Sequence, residues 1–368
     1  MRIRPFQAIY PNFDIIASID SFFKTVKYDY RQYEESGFFQ KASDDAVYIY
    51  QIQTRIGKHR GIVATVDIED YTEGNILKHE DTLSTKEQSM MNLLLERKAM
   101  IKPVLLSYPG KESINTVIED TINNNPLYRI RFENNGDVHQ VWKITNGQTI
   151  SKLQKAFKTV KKTYIADGHH RCSTSARLHS NAHVTHPNLN FSQLLSVFFS
   201  FDQLIIHDYN RVIEILNEIT PTALIAEISK YCDIKRKVKP FRPKRKHELS
   251  LFINREWYKL KWKKKVLNKY NKEGIVLDSS LVNDLIMTRI MKIEDVRSDK
   301  RITYIEGTKK ADGIRDACIK NENRIGLGLY PVSIAEFQEL SDNGIMLPPK
   351  STWFEPRIKN GMISQDFQ

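Results

Sequence analysis

A chain of 368 residues with 40 % hydrophobic residues and a mean hydropathy of −0.46 has the material for one large or two modest globular domains. No apolar run reaches the roughly 18 residues needed to span a bilayer, and the start Met1-Arg2-Ile3-Arg4-Pro5-Phe6 lacks the apolar core of a signal peptide, so no membrane partner and a cytoplasmic location are expected. The net charge of +12 would raise nucleic acid as a partner, but Lys235 to Lys272 holds 16 Lys and Arg against Glu248 and Glu256, a local net of +14 that leaves the remaining chain at −2. One segment carries the whole excess, which disfavours nucleic acid and leaves a small molecule as the expected partner.

The first half alternates element types. Strands are predicted over Val47 to Gln53, Gly61 to Ile68, Pro103 to Tyr108, Leu127 to Phe132, His139 to Ile144 and Thr163 to Ala166, and helices over Asp14 to Thr25, Thr85 to Met100, Glu112 to Asn123 and Gly147 to Thr159. After about His207 the pattern restarts with helices over Tyr209 to Leu216 and Thr222 to Tyr231. A basic β-hairpin follows, with arms Glu248 to Asn254 and Trp257 to Trp262; in its second arm Trp257, Lys259 and Lys261 alternate with Tyr258, Leu260 and Trp262, so that one face packs and the other stays wet. Then come a helix from Asp278 to Met291, strand Ile302 to Ile305, helix Lys309 to Lys320, strand Ile325 to Tyr330 and helix Ile334 to Asn343. The fold class is therefore mixed α/β: a sheet-containing domain over residues 1–207, then a smaller one over 208–368. Prolines 348, 349 and 356 keep Leu347 to Arg357 extended, presenting Lys350, Ser351 and Thr352.

Chemistry concentrates in Asp167-Gly168-His169-His170-Arg171, directly after the apolar Tyr164-Ile165-Ala166 and before a helix-compatible run. A strand-turn-helix corner of this kind offers backbone N–H groups and the positive end of a helix dipole to an anion, most often phosphate. A second polar loop, Lys78-His79-Glu80-Asp81-Thr82, precedes a helix with Ser84 as expected N-cap and Glu87 at the capping-box position. Glu80 suits a general base or a Mg²⁺ ligand. His79, Glu80, His169, His170 and Cys172 also offer ligand types that suit zinc or iron(II). The HExxH, GxSxG and GxxxxGK[ST] motifs are absent. Cys172, Cys232 and Cys318 are too scattered to suggest a disulfide framework or a zinc knuckle.

The chain resembles an uncharacterised prokaryotic family, domain of unknown function number one thousand and fifteen. Ile3-Arg4-Pro5-Phe6, His59 to Ala64, Lys78 to Thr82, Tyr164 to Arg171, Ile302 to Gly307 and Pro349 to Pro356 follow its motifs in order, with departures at Cys172, Trp353 and Glu355. The pentad is similar to the nucleotide-phosphate motif of ParB-like free serine kinases. That similarity implies a phosphotransferase using ATP or ADP with Mg²⁺ and accepting free serine or a related hydroxy amino acid. Under it Glu80 takes the hydroxyl proton beside His79, and Asp167 holds Mg²⁺. Gly168, His169, His170 and Arg171 cradle the phosphates, while Lys350, Ser351 and Thr352 bind nucleotide or substrate carboxylate. Two other classes stay open: a nucleotide-responsive regulatory protein without turnover, and a metal-dependent hydrolase.

Overall fold

Val47–Thr54 and Gly57–Asp67 pair as an antiparallel hairpin that is buried except near its turn, as near-continuous apolar runs predict for strands covered on both faces. They lie in a nine-stranded mixed sheet of a computed structural model that describes residues 1–271 and 274–368. From this hairpin the sheet runs one way through Gln193–Ser200, Val104–Tyr108 and Thr163–Asp167 to Ile76–Leu77, and the other way through Val138–Ile144 to Tyr128–Arg131. The Gln193–Ser200 strand was not among those predicted. Helices Glu112–Ile122 and Gly147–Lys158 form where the 3.6-residue periodicity placed them, the second capped by the Asn146 side chain. The first helix runs later than expected, Ile19–Glu35, because Ser18 supplies its N-cap to the Ser21 N–H. Leu83, rather than Ser84, is the N-cap residue of Ser84–Arg97.

The chain divides into two units. One comprises Met1–Ile205 with Pro356–Gln368, the other Ile206–Glu355. The sequence reading put the boundary two residues later and gave the whole remainder to the second domain. The tail instead returns to the first unit, because Ser364–Asp366 adds as a strand between Ala8–Pro11 and Ala99–Met100.

The second unit is built on a six-stranded antiparallel sheet ordered Cys232–Lys237, Glu256–Trp262, Glu248–Ile253, Arg324–Gly328, Tyr209–Glu214 and Ile302–Glu306. Tyr209–Glu214, expected as a helix, is an inner strand; Val212 and Ile213 contribute to two separate cores, so both of its faces are covered. The basic hairpin forms, with Glu256 joining its second arm opposite Ile253, but Trp257 is buried against Val212, Phe252 and Ile314 while Leu260 and Trp262 enter the larger core. Its second arm thus packs along the face of Leu260 and Trp262 and, on the other face, only at Trp257, beyond which Lys259 pairs with Glu248 at 2.5 Å and Lys261 is exposed; Lys272 lies outside the described residues. The predicted Asp278 to Met291 helix begins as an α-turn, Asp278–Leu281, and widens to a π-helix over Val282–Thr288. Among the described residues no helix is long and apolar enough to cross a membrane, and the three cysteines are buried and unbridged.

Candidate functional site

Two neighbouring parallel strands bring the polar loops together. Thr163 pairs with Ile76 and Tyr164 with Leu77, so the His79-Glu80 loop and the pentad leave the sheet at the same end. Val104–Tyr108 runs antiparallel on the other side, Leu105 opposite Asp167, which brings Lys102 and Pro103 to that end as well. Gly168 turns the chain at φ +114°, a value L side chains rarely adopt, and a Cβ there would lie 2.8 Å from Arg171 Nη2. The Cys172 N–H closes the first helical turn on the Gly168 carbonyl at 3.0 Å, and the helix continues to Thr185. Its first-turn N–H groups define an anion-favouring end.

Three cations surround Asp167. Arg171 Nη2 lies 2.8 Å and Lys102 Nζ 3.0 Å from Oδ2, and Arg357 Nη1 lies 3.5 Å from Oδ1. Burial pushes the Asp167 carboxyl up, but Arg171, Lys102 and Arg357 together hold it well below the usual carboxylate range. Burial, reinforced by Arg171 and opposed by Asp167, brings the Lys102 ammonium down to about 8. Three bases about one acid leave a local excess of positive charge. A carboxylate so engaged does not fit the Mg²⁺ role expected of Asp167; it holds the cations in place. Arg171 is buried and also donates from Nη1 to the Lys102 carbonyl at 2.9 Å and to the Pro103 carbonyl, so it pins the corner rather than reaching outward. Lys102 and Arg357, with 21 % and 38 % of their side chains exposed, are the accessible charges. Neither was found in the sequence. Lone bases beside Pro103 and Pro356 carry no motif, and only the sheet register and the returning tail bring them here.

His79 is buried, and its backbone N–H donates to His169 Nε2 at 3.5 Å. The two rings meet edge to face, 4.4 Å between centroids. Burial lowers the His169 imidazole to about 4, and burial followed by His169 holds His79 well below the ordinary histidine range. Both are therefore neutral at physiological pH. Ligand atoms of His79, Glu80 and His169 lie within 4.8 Å of one another, a set that could hold a metal ion. His170 follows, half-buried, on the helix. Cys172, offered as a further ligand, is buried, and burial pushes its thiol up to about 12, so it stays protonated. Glu87 does not form the expected capping box. Its carboxylate accepts from Thr82 Oγ1 at 2.5 Å, Arg177 Nη1 at 2.9 Å and the Ser173 hydroxyl, tying the two helices together behind the pentad.

Lys350, Ser351 and Thr352 belong to the second unit. The Ser351 hydroxyl is engaged with the Pro348 carbonyl at 2.6 Å and the Ser279 hydroxyl at 3.0 Å, the Lys350 ammonium lies 5.2 Å from the centre of the Tyr209 ring, and Thr352 is half-buried. Those contacts order the extended segment within its own unit.

Residues 7–287 match the family described as protein of unknown function (DUF1015), and the chain belongs to that family. No curated protein matches it. Among solved structures, a free serine kinase in complex with AMP is similar at 13 % identity, covering 83 % of this chain and 91 % of that one with a TM-score of 0.43. A conserved hypothetical protein from Pyrococcus furiosus is similar at 13 % identity, covering 83 % and 95 % with a TM-score of 0.41. C-terminally truncated SbnI from Staphylococcus aureus is similar at 10 % identity, covering 81 % and 85 % with a TM-score of 0.42.

Proposed function

We propose that this member of the DUF1015 family is a nucleotide-dependent phosphotransferase that phosphorylates free serine or a related hydroxy amino acid. The observation that carries the reading is the charge cluster: Lys102, Arg171 and Arg357 outnumber the one carboxylate they share at the start of a 17-residue helix. An excess of fixed positive charge beside helical N–H groups suits the phosphates of ATP or ADP, whose transfer depends on positioning and charge stabilisation more than on covalent help from the protein. Glu80, half-buried on the neighbouring loop, takes the acceptor hydroxyl's proton in this reading. The similarity of the Asp167 to Arg171 motif to that of free serine kinases supplies the acceptor class. No role for Mg²⁺ is drawn through Asp167, and the proposal rests on residues of the first unit alone.

Purified protein incubated with Mg²⁺, ATP or ADP and a pool of amino acids should yield a phosphorylated hydroxy amino acid by mass spectrometry. Glu80→Gln should abolish product while leaving nucleotide binding within a few-fold. Calorimetry that finds no nucleotide binding by the wild-type protein would sink the proposal.

A second reading is favoured by the His79, Glu80 and His169 cluster, whose neutral imidazoles suit zinc or iron(II) and a metal-dependent hydrolase. Stoichiometric zinc or iron in the purified protein, lost in His169→Ala, would select that reading over phosphoryl transfer.

A further inference from the structure

The second unit holds a buried arginine with half of its guanidinium unused. Arg211, on the inner strand Tyr209–Glu214, is fully buried, and its Nη1 donates to the Tyr209 carbonyl at 2.7 Å. The Tyr304 ring, 5.7 Å away, flanks the guanidinium. Nε and Nη2 have no hydrogen-bond partner among the described residues. These two atoms form one edge of the guanidinium, and their N–H groups point the same way, the fork that takes both oxygens of a carboxylate.

Arg211 lines a small, partly open cavity together with Asp208, Lys246, Asp278, Glu336 and Ser351. The other charged groups of this lining already have hydrogen-bond or ion-pair partners. Lys246 is paired with Glu336, and Asp208 accepts from Arg242 Nη2 at 3.2 Å. Asp278 accepts from the His247 backbone N–H at 2.9 Å and from Trp262 Nε1 and His247 Nδ1 at 3.1 Å each. Asp208 is near enough to favour the charged form of Arg211, but it makes no hydrogen bond with it. What Arg211 lacks is a pair of acceptor oxygens along its open edge. A water molecule offers one oxygen; a carboxylate offers two, at the spacing of the fork. A doubly charged phosphate fits less well, since its outer oxygens would meet the lining carboxylates, and the cavity is too small for a nucleotide.

We propose that this cavity is a carboxylate-binding site for a small organic acid, with Nε and Nη2 of Arg211 as its paired donors. It is independent of the phosphate-binding reading, because all its residues lie in the other unit.

The test uses the full chain and acetate as the probe. The side-chain Nε–H resonance of Arg211, assigned by its loss in Arg211→Lys, should shift saturably as acetate is added at constant ionic strength, with chloride as the balancing anion. Acetate should also raise the thermal midpoint of the wild-type protein. Arg211→Lys keeps the charge but loses the fork, so its acetate affinity should fall at least tenfold. Lys102→Met, which removes a cation of the first unit, should leave the Arg211 shift in place. An Arg211 resonance that does not respond to acetate, or responds equally to chloride, overturns the proposal. Because that resonance is read in the wild-type protein, the conclusion stands even if an Arg211 variant folds poorly.

Discussion

Replacing Asp167 by Asn keeps the side chain's shape and removes a negative charge that Lys102, Arg171 and Arg357 share. Stripping one partner from a fully buried ion pair costs about 3–5 kcal/mol. Here solvent reaches 23 % of the Asp167 side chain and 21 % of that of Lys102, and Lys102, already lowered to about 8, can shed its proton near neutral pH and so relieve part of the repulsion. We therefore expect a loss of about 2–3 kcal/mol, read as a lowered urea midpoint with unchanged slope. Phosphate supplies the contrast. A ligand at a hundredfold excess over its Kd stabilises by about 2.7 kcal/mol, and the variant's larger positive excess should let phosphate recover more of its stability than it adds to the wild type. Asp44→Asn breaks the exposed pair with Lys143 and serves as the control, with a much smaller shift of the urea midpoint expected. An Asp167→Asn protein as stable as wild type, or one whose deficit phosphate does not reduce, would refute the account of the cluster.

Gly168→Ala should destabilise by about 1–3 kcal/mol and abolish phosphate binding, since the residue sits at φ +114° and its Cβ would press on Arg171; Gly136→Ala, at φ +76° with nothing nearby, should cost less and leave binding intact, and equal losses on calorimetry would contradict this. Lys102 is charged below about 8, so phosphate affinity should fall as pH rises through that value, whereas Lys102→Arg should hold its affinity; titrations with the same pH profile for both proteins would remove Lys102 from the site. His79 and His169 resist protonation when folded, while the unfolded chain takes protons near 6.5. Their neutral forms therefore favour folding above 6.5, and stability should drop as pH falls from 6.5 towards about 4, a drop that His169→Gln should make shallower in urea titrations. Glu87→Gln weakens acceptance from Thr82, Ser173 and Arg177 and should cost about 1–3 kcal/mol; an unchanged urea midpoint would mean that the carboxylate does not join the helices.

What the sequence reveals of this site is what is local. The apolar Tyr164-Ile165-Ala166, the turn at Gly168 and the helix after it are encoded within a dozen residues, and the structure has all three where the patterning put them. The pairing of Asp167 with Lys102 depends on which strands lie side by side, and no periodicity in either segment encodes that. Tyr209–Glu214 fails for a different reason. Six residues that mix apolar and polar types fit either period, and only burial on both faces, with Val212 on one side and Ile213 on the other, decides for a strand. Misreading that strand also hid Arg211, whose interest is apparent only once it is known to be buried. The Asp278 to Met291 segment was found as helical, but its widening into a π-helix has no signal in its spacing.

The route of the chain bears on how such a protein is made. It leaves the first unit after Ile205 and re-enters at Pro356, so the whole second unit is an insertion in the first. On the ribosome, Asp167 and two of its cations emerge long before the third, and Arg357 can arrive only after the insertion has been synthesised. Until then the first unit also lacks the Ser364–Asp366 strand that joins Ala8–Pro11 to Ala99–Met100. The nascent chain therefore carries an unfinished charge cluster and an unfilled sheet position for most of its synthesis, and both are completed by the same short return segment.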